Sequence, residues 1–143
     1  MKIKRSASVV WNGGLKDGRG SITTESNALN AYPYGFSSRF EGVKGTNPEE
    51  LIAAAHSSCF TMALSMILGE AGFTADEMKT SAVVVLEQVD DGFSVTSSAL
   101  TLEAKIPNID DATFQELAGK AKAGCPISKV LKTEISLKAT LVK

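Results

Sequence analysis

Residues 46–72 read TNPEELIAAAHSSCFTMALSMILGEAG, and the rest of the chain is organised around them. Thr46 or Asn47 can act as N-cap. Pro48 takes the first helical position, where a missing N–H is harmless, and Glu49 and Glu50 occupy the first turn, where the helix dipole favours negative charge. Leu51, Ala55, Cys59, Met62 and Met66 then recur at spacings of four, four, three and four, so they share one face, and Gly72 stops the run. The pattern predicts a helix of about 22 residues, roughly 33 Å long. Ile52, Ala53, Ala54, Phe60, Ala63, Leu64 and Ile67 make its other faces apolar too, which at this length requires cover from a core or a subunit interface. A chain of 143 residues has little material to wrap such a helix, so a homodimer in which two of them share a core is expected.

Upstream, residues 3–11 mix apolar and polar positions as a half-buried strand does. Asn12, Gly13, Gly14, Asp17 and Gly18 mark turns before a second extended piece at Ser21, Ile22 and Thr23. This predicts an N-terminal hairpin or meander. The glycines between 13 and 20 fit neither GxxxxGK[ST] nor GxGxxG and read as turns rather than a phosphate loop. Residues 30–38, with Pro33 and Gly35, suit an irregular connection, followed by a short extended piece over 39–42.

Downstream, residues 81–89 and 93–106 alternate and are rich in Val, Leu and Thr. Asp90, Asp91 and Gly92 between them give the strongest hairpin signal in the chain. Asp110 and Asp111 cap a second amphipathic helix through Phe114, Leu117 and Ala121, interrupted at Gly124 and Pro126, and residues 134–142 alternate as a last strand. The order βββ, α, ββ, α, β predicts an α+β fold in one domain spanning residues 1–143.

Composition narrows the function classes. With 43% hydrophobic and 22% charged residues the chain has the make-up of an ordinary globular domain, not a disordered one. A net charge of −1, with Lys and Arg scattered among acids, offers no basic stripe for nucleic acid. Val9, Val10 and Trp11 are too short a run for a signal-peptide core, and no apolar stretch of membrane length is expected, which points to the cytoplasm. In that reducing compartment two cysteines stay thiols, or pair transiently in catalysis.

Cys59 lies in mid-helix, far from the positive N-terminus, on an apolar face that raises a thiol's pKa; by itself it reads equally as a small buried hydrophobe. Cys125, in Gly124-Cys125-Pro126-Ile127-Ser128, sits at a helix break where Pro126 opens a new turn with Cys125 as its cap. Such a place is expected to be exposed and adjustable, as suits a thiol that must reach another sulfur, or an incidental loop cysteine. His56 is the one histidine, and with Cys59 at i+3 it could form half of a metal site completed by Cys125. The absence of any GxSxG context argues against a Ser-His-Asp hydrolase. Arg39 and Glu49 matter in combination, because a guanidinium held by a carboxylate offers its remaining donors to a thiolate in a fixed direction.

Taken together, Arg39-Phe40-Glu41-Gly42, the run from Gly45 to Phe60, and Gly124-Cys125-Pro126-Ile127-Ser128 resemble the OsmC (osmotically inducible protein C) family over nearly the whole chain. Pro33-Tyr34-Gly35-Phe36 and His56-Ser57-Ser58-Cys59 place the likeness nearer the OsmC branch than the organic hydroperoxide resistance (Ohr) branch. The resemblance implies a thiol peroxidase that prefers organic hydroperoxides to hydrogen peroxide, an intertwined homodimer with antiparallel sheets wrapping central helices, and a role in oxidative or osmotic stress. It also implies the roles of four residues: Cys59 peroxidatic, Cys125 resolving through a Cys59–Cys125 disulfide, Arg39 activating, and Glu49 holding Arg39. A dithiol, notably a lipoyl group, would regenerate the enzyme, and the chemistry calls for neither metal nor flavin.

Glu49 precedes Cys59 by ten residues, about 15 Å along a helix, beyond side-chain reach. Arg39 and Glu49 are therefore expected to arrive at the thiols from the partner subunit. Two other readings stay open: a binding protein with an apolar interface cavity and incidental thiols, and a zinc site at His56, Cys59 and Cys125.

Overall fold

The computed structural model describes residues 1–143, which fall into two units, Met1–Leu51 and Ile52–Lys143. In the first, β1 (Ala7–Asn12), β2 (Arg19–Thr24) and β3 (Tyr32–Tyr34) form an antiparallel meander in that order. The strand expected from residue 3 starts at Ala7. Gly13, at φ +100°, makes the first turn in a conformation that side chains rarely adopt. Gly20 is fixed for another reason: Trp11 and Tyr34 meet edge to face at 5.6 Å above it, and a Cβ there would run into both rings.

A short helix, α1 (Phe36–Phe40), replaces the extended piece expected over 39–42. Local hydrogen bonds decide this. The Ser38 hydroxyl accepts the Gly35 N–H at 2.9 Å and donates to the Thr46 carbonyl at 2.8 Å, which folds the segment back on itself and closes one helical turn.

The long helix α2 (Pro48–Glu70) has 23 residues, as its punctuation predicts. Asn47 is the cap: its Oδ1 accepts the Glu50 N–H at 2.8 Å. In the second unit α2 turns His56, Phe60, Leu64 and Leu68 inward, each at most 1% exposed, while Met62 and Met66 stand 76% and 61% exposed. Against the expectation of no membrane-length apolar segment, α2 reaches a mean hydropathy of 1.7, enough by length and composition to span a bilayer. Its inward stripe is instead packed in the core of the second unit.

That core is completed by β4 (Glu77–Val89), β5 (Gly92–Lys105), α3 (Asp111–Gly124), α4 (Pro126–Val130) and β6 (Glu134–Leu141). β4 and β5 form the expected hairpin, Val89 opposite Gly92, with Asp90 at φ 54°, a left-handed position that Asp tolerates. Asp110 caps α3 by accepting the Thr113 N–H at 2.7 Å. The sheet order is β4-β5-β6, and β6 runs parallel to β5, which corrects the expectation of wholly antiparallel sheets. The α3–α4 crossover carries the chain back to the start of β5, and such a return makes parallel pairing. Leu100, Leu102 and Ala104 of β5 face Phe60, Leu64 and Phe114 across this core.

Candidate active site

Cys125 is at once the C-cap of α3 and the N-cap of α4. Its N–H donates to Ala121 O at 2.9 Å and its carbonyl accepts the Lys129 N–H at 3.1 Å, so its backbone is held from both sides. Its side chain is fully buried, contrary to the exposed position expected at a helix break, because the two helices fold over the junction and the sulfur joins the core beside Phe114 and Leu117. The expectation that Pro126 opens a new helix with Cys125 as its cap holds.

Cys59 is half-buried on α2, and its thiol hydrogen-bonds Cys125. Both sulfurs are in the reduced form. Burial and the bond to Cys125 push the Cys59 thiol up, only partly offset by the Ile127 N–H. Cys125 is also penalised by burial, but hydrogen bonds from Cys59, from the backbone and hydroxyl of Ser128 and from the Ile127 N–H outweigh this and leave it lowered. The apolar surroundings therefore act on Cys59 as its sequence predicts.

His56, one turn before Cys59, is fully buried with both ring nitrogens engaged: Nδ1 lies 2.6 Å from Ser98 Oγ on β5, and Nε2 lies 2.8 Å from Ser128 Oγ on α4. Burial lowers its pKa, so the ring is neutral. With each nitrogen committed to a serine, none is directed at the sulfurs, and the zinc reading loses its nitrogen ligand. Ser98 and Ser128 were not singled out by sequence reasoning as partners of His56.

In the first unit Arg39 and Glu49 meet as expected. Nη2 lies 2.6 Å from Oε1, and Nε lies 3.2 Å from both carboxylate oxygens, a fork that fixes the plane of the guanidinium. Arg39 Cζ also sits 5.4 Å from the Phe40 ring centre. Trp11, Tyr34, Phe36, Phe40 and Arg39 line a mainly apolar cleft of about 250 Å³. The four expected residues thus form two pairs, Arg39 with Glu49 in the first unit and Cys59 with Cys125 in the second.

An α+β fold with two facing reduced thiols, one on a long helix and one at a helix junction, defines a two-cysteine thiol protein. The chain belongs to the OsmC family, whose model, described as OsmC-like protein, matches residues 41–140. Peroxiredoxin OsmC of Escherichia coli is 56% identical over 137 residues, 96% of each chain. Organic hydroperoxide resistance protein OhrB of Bacillus subtilis is 30% identical over 123 residues, 85% of this chain and 88% of the other. The OhrB crystal structure matches with a TM-score of 0.68 at 28% identity, covering 96% and 98% of the two chains. An OsmC-like protein from Mycoplasma pneumoniae shares the fold, with a TM-score of 0.77 over 100% of both chains at 16% identity. The expected leaning toward the OsmC branch is borne out by 56% identity against 30%.

Proposed function

We propose that this chain is a thiol-dependent peroxidase that reduces organic hydroperoxides, and hydrogen peroxide less well, to alcohols. The observation that carries the reading is the facing pair of reduced thiols, Cys59 and Cys125, in a chain 56% identical to a peroxiredoxin. Cys59 thiolate attacks one peroxide oxygen, the O–O bond breaks, and the departing alkoxide takes a proton, leaving an alcohol and a Cys59 sulfenic acid. Cys125 then attacks that sulfur, a disulfide forms and water leaves. An external dithiol, such as a lipoyl group, restores both thiols by exchange.

Cys125 carries the more acidic thiol, but access assigns the first step. Cys125 is 0% exposed, whereas Cys59 is half-buried and can be reached by a peroxide. Cys59 nevertheless needs a cation, because burial raises its pKa. Arg39, oriented by Glu49, is the residue proposed to supply it.

Glu49 and Cys59 are ten residues apart on the continuous helix α2, about 15 Å, which supports delivery of Arg39 and Glu49 from the second subunit of a homodimer. The exposed Met62 and Met66 support the same dimer. The family match over 41–140 crosses the junction between the two units and supports one functional domain. The proposed setting is the cytoplasm, in defence against oxidative or osmotic stress.

Peroxide consumption with dihydrolipoamide tests the reading. The parent turns over, Cys59→Ser does not, and Cys125→Ser reduces one equivalent and then accumulates sulfinic acid. Retained turnover in Cys59→Ser would reject the assignment. Cumene hydroperoxide should give a higher kcat/KM than hydrogen peroxide, since each buried methylene contributes about 0.8 kcal/mol.

A further inference from the structure

His56 has no part in the chemistry above, yet it is fully buried and joined to the thiol pair by an unbroken path. Its Nε2 lies 2.8 Å from Ser128 Oγ, and Ser128 hydrogen-bonds Cys125 through both its hydroxyl and its N–H. On the far side Nδ1 lies 2.6 Å from Ser98 Oγ. A neutral structural histidine needs an acceptor for its N–H and a donor for its bare nitrogen, and a backbone carbonyl with a backbone N–H would serve that purpose. Here both partners are hydroxyls, which can donate or accept, so the ring stays satisfied whichever nitrogen carries hydrogen.

We propose that His56 is a positioning residue for disulfide closure, taking through the Ser128 hydroxyl the proton that Cys125 releases as it attacks the Cys59 sulfenic acid. This rests on the peroxidase reading above. While Cys125 is a thiol, its S–H points to Ser128 Oγ and Ser128 O–H to Nε2, with Nδ1–H donated to Ser98; the Ser128 O–H that donates to the thiolate and lowers its pKa is the bond left once the proton has moved. As the sulfur attacks, its proton passes to Ser128 and the Ser128 proton passes to Nε2. The S–S bond forms, the S–O bond of the sulfenic acid breaks, and its electron pair leaves as hydroxide. That hydroxide collects the proton held by Ser128 and His56 and departs as water. The net change is thiol plus sulfenic acid to disulfide plus water, with no other reactant.

The surroundings suit a proton that is lent rather than kept. Burial disfavours the charged ring, so the imidazolium returns its proton. The titratable groups reaching this network are Cys125, from the α3–α4 junction, and Cys59, from α2. The ring's own hydrogen bonds go to two serines, and no carboxylate, lysine or arginine pairs with it.

Rapid mixing of the full-length protein with one equivalent of cumene hydroperoxide, quenched and read by mass spectrometry, separates Cys59 oxidation from disulfide closure. In His56→Asn and Ser128→Ala, closure should slow by roughly tenfold or more and sulfinic acid should accumulate at excess peroxide. Cys59 oxidation should change by less than about twofold. The closure rate of both variants should climb with pH through the thiol range while the parent is flatter, because the variants depend on thiolate already formed. Ser128→Thr, which keeps the hydroxyl, should close at close to the parent rate. Closure at the parent rate in His56→Asn and Ser128→Ala overturns the proposal, and so does an equal loss in Ser128→Thr. If His56→Asn does not fold, the comparison of Ser128→Ala with Ser128→Thr decides alone. A parent whose Cys59 is not oxidised by the peroxide would instead refute the peroxidase reading.

Discussion

Cys59 carries two opposing demands. Its apolar setting and its bond to Cys125 hold the proton on sulfur, while peroxide reduction needs the proton gone. In the mechanism proposed above the forked Arg39 guanidinium reconciles them, since it would offer directed donors where a lysine offers a mobile point charge. In a Cys125→Ser background, Arg39→Gln should therefore move the pH midpoint of Cys59 alkylation by iodoacetamide upward. Arg39→Lys should lower kcat/KM by about tenfold or more, the scale of one charge-assisted hydrogen bond. His56 makes a separate prediction. Its folded pKa is lowered, so below its ordinary value of 6.5 the unfolded chain binds the extra proton, and stability falls as pH drops through that window. The urea midpoint should decline from about pH 7 to about pH 5, and less so in His56→Asn. The pairings of Arg39 with Glu49 and of Cys59 with Cys125 were legible in the sequence because these residues stand in spaced motifs. Ser98 and Ser128 were not, since they reach His56 from 42 and 72 residues away and an isolated serine carries no pattern.

Helix α2 shows how far punctuation alone can specify an element. Asn47, Pro48 and the two glutamates fix its start, and the structure agrees. Asn47→Ala should cost about 1 kcal/mol and Phe60→Ala about 3–5 kcal/mol in urea unfolding, the first losing a cap and the second leaving a void in the core. Where the sequence reading failed, the signal was too local or too global. Five residues cannot display a helical period, so α1 was hidden among Pro33, Gly35 and Gly42, and only the Ser38 hydrogen bonds reveal it. Alternation in β6 identifies a strand but not its direction, which the crossover sets. The exposure expected of Cys125 failed in a similar way, because a break in a helix need not lie at the surface.

At the scale of the whole molecule, α2 has more apolar surface than the chain covers. Met62 and Met66 remain open although the opposite stripe is buried. Sedimentation of the parent should give the dimer mass, and Met62→Glu with Met66→Glu should shift it to the monomer and abolish peroxide turnover, because Arg39 and Cys59 would then be parted. A parent that sediments as a monomer at low micromolar concentration would refute the shared site. The parallel pairing of β5 with β6 also sets an order of events during synthesis. Until α3, α4 and β6 have left the ribosome, β5 presents an unpaired edge and Cys59 has no second sulfur beside it. A nascent chain stalled before α3 is thus a sticky intermediate in which an oxidised Cys59 has no second sulfur to resolve it, so the chain gains protection from irreversible oxidation only once the α3–α4 junction has been made.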